Sequence, residues 1–230
     1  MSLDRRAALD ELYAAIGELR TRLDGARQLA DATGRSGWPD QGVYLFFEAG
    51  EYREDGVTPR VTRVGTHALT ATSKTRLWTR LAQHRGSVGG TNPGGGNHRG
   101  SVFRLHVGTA LIARDGWPGA APTWGRGSNA SREVRNQEAE LERAVSRFIG
   151  AMPVLWLDVP ERADRRVIEA GLIALLSDAG RESLDPPSQT WLGHHANRDA
   201  IRRSGLWNVN HIYEAPNRAA VDEFCRHVLR

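Results

Sequence analysis

Two short segments restrict the fold more than anything else in the chain: GVYLFFEAG from Gly42 to Gly50, and RVTRVGT from Arg60 to Thr66. The first is an apolar and aromatic run, and both read as β-strands. The polar residues between them, from Glu51 to Pro59, supply a turn, so the pair predicts a β-hairpin. Any fold built on this sequence has to place that hairpin in a sheet.

The remaining patterns are mostly helical. Leu9, Leu12, Ile16, Leu19, Leu23 and Ala26 recur at spacings of three and four, flanked by Asp10, Glu11, Arg20 and Arg22. This stripe predicts an N-terminal helix that either packs on the rest of the chain or pairs with a second copy. Packing is the favoured reading, because the stripe is short for a coiled coil. Gly34–Gly42 reads as a loop, and Ser73 as the N-cap of a helix through Leu77, Trp78 and Leu81 that ends at Gly86. The glycine-rich segment 86–100 predicts a mobile loop. Val102–Ile112 fits either a strand or a helix. Further on, a long charged helix is expected over Ser131–Phe148, a third strand in MPVLWLDV, a helix over Asp164–Ala179, a short basic helix at Arg198–Arg203 and a C-terminal helix.

Composition narrows the class. Of 31 basic side chains Lys74 is the only lysine, a bias that codon usage explains. With 25% charged residues, 40% apolar residues and no apolar run near the roughly 20 that span a bilayer, a soluble, cytoplasmic globular protein is expected. The single cysteine, Cys225, excludes a disulfide framework. The net charge of +4 is distributed unevenly: residues 60–135 hold twelve basic and two acidic groups, and Arg60–Arg114 contains no carboxylate. Such a segment suits a polyanionic partner, and without a basic amphipathic helix or lipidation signal a nucleic acid fits better than a membrane.

Several residues could carry chemistry. Glu169 sits in VIEAGLIALL, near Ile173 and Leu176, with no other charge between Arg166 and Asp178. A carboxylate on an apolar helix face needs a partner, a proton or a cation. The pattern leaves a structural arginine pair and a Mg²⁺ site equally open, since Mg²⁺ often takes only one or two protein carboxylates. Arg80 and His84, four apart, share one helix side and combine a phosphate grip with a titratable imidazole. Tyr44 is the one phenol in an otherwise apolar strand. His194, His195 and His211 are a weaker transition-metal candidate. Trp78, Trp117, Trp124, Trp191 and Trp207 read as packing residues before base-stacking ones.

Taken in order, these pieces resemble the GIY-YIG nuclease family. Gly42-Val43-Tyr44 matches its GIY element and Arg63-Val64-Gly65 stands in the place of YIG. Ser73, Leu77, Arg80 and His84 follow its helix spacing, Glu169 matches its metal-binding glutamate, and Asn208 its late asparagine, with Asn197 and Asn210 as competitors. The resemblance implies an α/β fold: a small central, mostly antiparallel three-stranded sheet flanked by helices, with an extra N-terminal helix. The implied layout is a helix at 1–33, a nuclease domain at 34–214 with a glycine-rich insertion at 86–100, and a C-terminal helix at 215–230. It also implies a metal-dependent DNA endonuclease in which Tyr44, Arg80, His84, Glu169 and Asn208 are catalytic and Glu169 holds Mg²⁺ or Mn²⁺. Arg63, His67, Lys74, Arg76, Arg85, His98 and Arg99 are the expected nucleic-acid contacts, and a dimer through the N-terminal helix is an expected option. Arg63 in the place of the second tyrosine is the main departure. It leaves a second expectation, a nucleic-acid-binding module on the same fold that does not cut.

Overall fold

A computed structural model describes residues 3–70, 72–73, 75–87 and 90–230, so the expected contact Lys74 lies outside the described residues. In chain order the elements are α1 (Arg5–Arg22), β1 (Arg27–Gln28), β2 (Gly42–Tyr52), β3 (Pro59–Thr66), α2 (Leu77–Arg85), α3 (Val102–Asp115), α4 (Arg132–Gln137), α5 (Ala139–Gly150), β4 (Pro153–Asp158), α6 (Arg162–Leu176), α7 (Asp199–Ser204) and α8 (Arg218–Val228). The strands form one antiparallel sheet in the order β1-β4-β2-β3. The hairpin and the third strand are where the sequence puts them. The fourth strand, β1, is two residues long and too short to show any periodicity.

Because β2 is apolar at nearly every position, both of its faces are covered. Val43, Leu45 and Phe47 face α1, α6 and α8, while Tyr44 and Phe46 face α2, α3, α5 and Trp207. The stripe on α1 lies within the first of these layers, with Leu9, Leu12, Ile16 and Leu19 at most 4% exposed. Each such side chain contributes about 1.5–3 kcal/mol of burial free energy. The Tyr13 hydroxyl of the same helix accepts the Val61 N–H at 3.0 Å. A helix that uses its apolar stripe inside the chain has none left for a second copy, which removes the basis for a dimer through α1.

A β-bulge decides which β3 side chains reach the second layer. Phe46 pairs with Arg63 but Phe47 pairs with Val61, so Thr62 is the extra residue. The bulge puts Val61 and Val64 on the α1 side although they are three apart, and turns Arg63 and Gly65 toward α2 and α3. As an edge strand, β3 would present unpaired backbone groups to solvent. The Trp207 N–H donates to the Thr62 carbonyl at 2.8 Å. The Asn208 side chain accepts from the Val64 N–H at 3.1 Å and donates to the Val64 carbonyl at 2.8 Å.

One open alternative is resolved and two helical expectations are corrected. Val102–Asp115 is a helix, capped by the Ser101 hydroxyl on the Arg104 N–H. The helix carrying Arg80 starts at Leu77, with Arg76 rather than Ser73 at its N-cap. The long charged helix is two, α4 and α5, meeting at Glu138, whose buried carboxylate binds both terminal nitrogens of Arg99 at 2.6 and 2.8 Å.

The glycine-rich segment is the largest departure. Residues 94–98 are packed against α3 and α5, and at Gly94 and Gly96 the backbone runs too close to its neighbours for a Cβ. A methyl group on Gly94 would lie 2.0 Å from the Ala139 carbonyl oxygen, and one on Gly96 1.8 Å from the Arg104 guanidinium. These glycines are required by close approach, and Gly94 also adopts φ +72°. Gly94→Ala is therefore expected to destabilise the fold by about 2–4 kcal/mol, through left-handed strain plus overpacking. Urea unfolding checks this, and an unchanged midpoint would show that the loop is free to move aside.

Candidate active site

The open edge of β3 gathers side chains from both layers. Tyr44 reaches it from below: its ring passes so close to Gly65 that a Cβ there would sit 2.4 Å from the phenol oxygen. Glycine at this position is thus a condition for Tyr44 to occupy its place. The Tyr44 hydroxyl lies 2.8 Å from Nε2 of His84, whose Nδ1 lies 2.8 Å from the Ser101 hydroxyl. His84 is fully buried. Burial, reinforced by the charges of Arg63, Arg80 and Arg104, holds it well below the usual imidazole value, so the ring is neutral at physiological pH. A neutral ring has one protonated and one unprotonated nitrogen, so it can accept a proton from the Tyr44 hydroxyl at Nε2 while its Nδ1 bonds the Ser101 hydroxyl.

Glu169 arrives from α6, on the other side of the sheet. Its Oε1 accepts the Thr66 N–H at 3.1 Å, the next backbone donor along β3 after the pair held by Asn208. The carboxylate is half-buried and, among the described residues, has no ion-pair partner within 4.0 Å, so the structural arginine pair that the sequence left open is not formed. Burial pushes its pKa above the ordinary carboxylate value, while Arg63, the Thr66 N–H, His211 and Arg80 pull the other way. A desolvated carboxylate with no counterion is a site a hard cation would relieve. An oxygen-only set with a single carboxylate fits Mg²⁺ or Mn²⁺, which keep most of their waters. The one group of three close potential ligands among the described residues is Asp164, Glu223 and His227, where Arg226 already pairs with both carboxylates. His194, His195 and His211 form no such group: His194 bonds the Ser188 carbonyl at 2.8 Å and His211 bonds Glu214 at 2.6 Å.

The two arginines complete the electrostatics. Arg63 lies on the Phe103 ring, 4.6 Å from its centroid, and donates to the Trp207 carbonyl at 2.8 Å, with its buried Nε left unpartnered. Its charge acts on Glu169, His84 and His106 together. Arg80 is half-buried, and its bonded partner is the Gln83 amide at 3.2 Å. Asn208 is present too, but both ends of its amide are used on Val64, so its place is that of a positioning residue.

Most of the expected nucleic-acid contacts are elsewhere. His98 is buried, stacked on Trp124 at 3.8 Å and bonded to Glu142 and the Gly125 N–H, and Arg99 is locked to Glu138, so neither faces a ligand. Arg85 binds the Ala32 carbonyl and lies over Trp78. His67 is buried against the Asp40 carbonyl, and its pKa is lowered by that burial. Arg76 is exposed beside Asp40. Sequence reasoning missed His106, which is buried with Nε2 unpartnered and is pushed down to about 4 by burial, Arg63 and Arg198. It also missed that His211, at φ +64°, stands near Glu169.

Positive charge is thus gathered around one half-buried carboxylate on the edge of an antiparallel sheet in an α/β domain. The chain belongs to the GIY-YIG domain family, a family of nucleases, whose model matches residues 3–230 and so takes in α1 and α8 as well as the sheet. No curated protein and no solved structure matches the chain. No described helix is long and apolar enough to cross a membrane.

Proposed function

We propose that this protein is a metal-dependent endonuclease that hydrolyses phosphodiester bonds in DNA and works in the cytoplasm. The observation that carries the reading is the unpaired Glu169 carboxylate held on the Thr66 N–H within reach of the charges of Arg63 and Arg80. Glu169 would hold Mg²⁺ or Mn²⁺, which when bound supplies Lewis-acid stabilisation of the scissile phosphate and leaving oxygen. Arg80 and Arg63 stabilise charge developing on the phosphoryl oxygens. Tyr44 takes a proton from the attacking water as it passes its own to the neutral His84 ring. Asn208 keeps β3 in register, so that Gly65 and Thr66 hold Tyr44 and Glu169 in their relative positions.

The test is incubation of the full chain with labelled DNA and RNA, single- and double-stranded, with Mg²⁺, Mn²⁺ or EDTA. Metal-dependent cleavage of DNA is the expected result. Tyr44→Phe, which keeps the ring over Gly65 and removes only the hydroxyl, should slow cleavage on the order of 10²-fold with unchanged DNA affinity. Cleavage that survives EDTA, or a Tyr44→Phe variant as fast as wild type, contradicts the mechanism.

Arg63 supports one second reading, a module that binds nucleic acid without cutting it. A fixed cation where the family carries a tyrosine favours gripping a phosphate over positioning a water. Salt-dependent binding without turnover in any metal would establish it.

A further inference from the structure

Three arginines unrelated to the site line one cleft. Arg132 and Arg135 of α4 and Arg143 of α5 face the glycine-rich segment Gly90–Gly95 across a space of about 750 Å³. No carboxylate lines this cleft, and among the described residues none of the three arginines has an acidic partner within 4.0 Å. Arg135 is steered toward the loop by contacts to the Ala130 carbonyl at 3.3 Å and the Asn92 side chain at 3.4 Å. Three guanidinium groups left without counterions repel one another unless an anion enters.

The cleft does not end there. A second space of about 400 Å³ shares Gly90, Thr91, Asn92 and Gly95 with it and runs to Gln83 on α2. Gln83 is the residue that holds Arg80. The two spaces adjoin at Gly90, Thr91, Asn92 and Gly95, so a track along the loop from Gln83, the partner of Arg80, to the arginines of α4 and α5 crosses both. One phosphate fills one end of such a track, whereas a chain of phosphates fills its length.

We infer that Arg132, Arg135 and Arg143 hold the sugar-phosphate backbone of a nucleic-acid strand that leaves the site across the glycine-rich loop. This rests on the nuclease reading for where the strand begins. It adds a remote subsite that sets how long a substrate must be, and it gives the tightly packed loop a function as the floor of the track.

The experiment measures binding in EDTA, by fluorescence anisotropy of labelled DNA, for the full chain. It compares R132Q/R135Q/R143Q with a charge-matched control, R22Q/R162Q/R230Q, whose arginines lie on α1, α6 and the C-terminus. The cleft variant should bind long DNA on the order of 10- to 100-fold more weakly, with a log Kd against log salt slope lower by about 2–3. A short oligonucleotide that spans only the site should bind it as it binds wild type, and the control should lose little. Circular dichroism and thermal melting establish that both variants fold. Wild-type affinity and slope for long DNA in the cleft variant overturn the inference, and so does an equal loss in the control. Inorganic phosphate or a mononucleotide that binds wild type through these arginines, with long-DNA affinity unmoved, also overturns it, by assigning a single-anion pocket. Failure of the nuclease reading registers separately, as absence of metal-dependent cleavage by wild type, and leaves the binding comparison intact.

Discussion

Glu169→Gln should reduce DNA cleavage on the order of 10³-fold at saturating Mg²⁺ while making the protein more stable. The two effects have one cause. Burial raises the pKa of this carboxyl above its unfolded value, and no ion pair forms among the described residues to offset the cost of keeping it charged. A carboxyl whose folded pKa is raised binds its proton more tightly in the folded state. Its contribution to stability is then fully present below the unfolded pKa and lost as pH rises through the folded one. At neutral pH wild type bears the cost of the charged form, and a glutamine, neutral and the same shape, does not. Melting temperature should rise in the variant at pH 7, and the difference should vanish as the pH is lowered through the carboxylate range. For activity the sign reverses. Cation binding needs the ionised form, so the acid limb of the pH–rate profile should lie above the ordinary carboxylate value, and Mn²⁺ affinity measured by calorimetry should fall with the same limb. A variant that loses activity without gaining stability would mean that Glu169 is not under strain in the free protein.

What the sequence disclosed of this site is the part that depends on residue type and local period. A phenol inside an apolar strand, an arginine and histidine four apart, and a carboxylate alone on an apolar helix face are each anomalous within their own segment; Tyr44 and His84 bond each other, Glu169 bonds the Thr66 N–H of β3, and the charge of Arg80 acts on both His84 and Glu169. Several expected nucleic-acid contacts have other partners in the fold: His98 bonds Glu142, Arg99 pairs with Glu138 and Arg85 binds the Ala32 carbonyl. His98, Arg99 and Arg85 belong to an acid-free stretch of sequence, but Glu138 and Glu142, which lie beyond that stretch, fold back onto His98 and Arg99. Local charge density says nothing about a partner 39 to 44 residues away. The same limit hid Arg132, Arg135 and Arg143, whose sequence neighbours include Glu133 and Glu140 but whose cleft includes neither. Glycine content misled for a related reason. It signals either freedom or crowding, and only the position of Arg104 and Ala139 shows that crowding is the cause here.

Glu142→Ala should cost about 3–5 kcal/mol of stability, the largest single-residue effect expected outside the apolar core. The carboxylate lies under the glycine-rich loop, where its Oε2 takes Nε and Nη2 of the fully buried Arg104 at 3.1 and 2.5 Å, and its Oε1 takes the His98 N–H at 2.6 Å and Nδ1 at 2.9 Å. Because His98 Nε2 accepts the Gly125 N–H at 3.1 Å, the His98 proton is on Nδ1 and the ring is neutral, which makes Arg104–Glu142 the charged pair. Removing the carboxylate strands the guanidinium charge in the interior. Arg104→Met with Glu142→Leu removes both charges, and should cost less than the sum of the two single changes. Burial works to raise the Glu142 pKa, but the His98 bond and the Arg104 charge outweigh it and leave it below the usual value. A depressed carboxyl stabilises the fold above its unfolded pKa, and that stability is lost as pH falls through the folded value. The gap in urea midpoint between wild type and Glu142→Gln should therefore close as pH drops below the ordinary carboxylate range. The network also reaches the site. Arg104 donates to the carbonyls of His84 and Arg85 at 2.8 and 3.2 Å, pinning the last turn of α2. Loosening that turn frees the imidazole that Tyr44 depends on, so Glu142→Gln should lower kcat at temperatures where the protein is still folded, with little change in DNA affinity. A variant as active as wild type below its melting temperature would confine the network to stability alone.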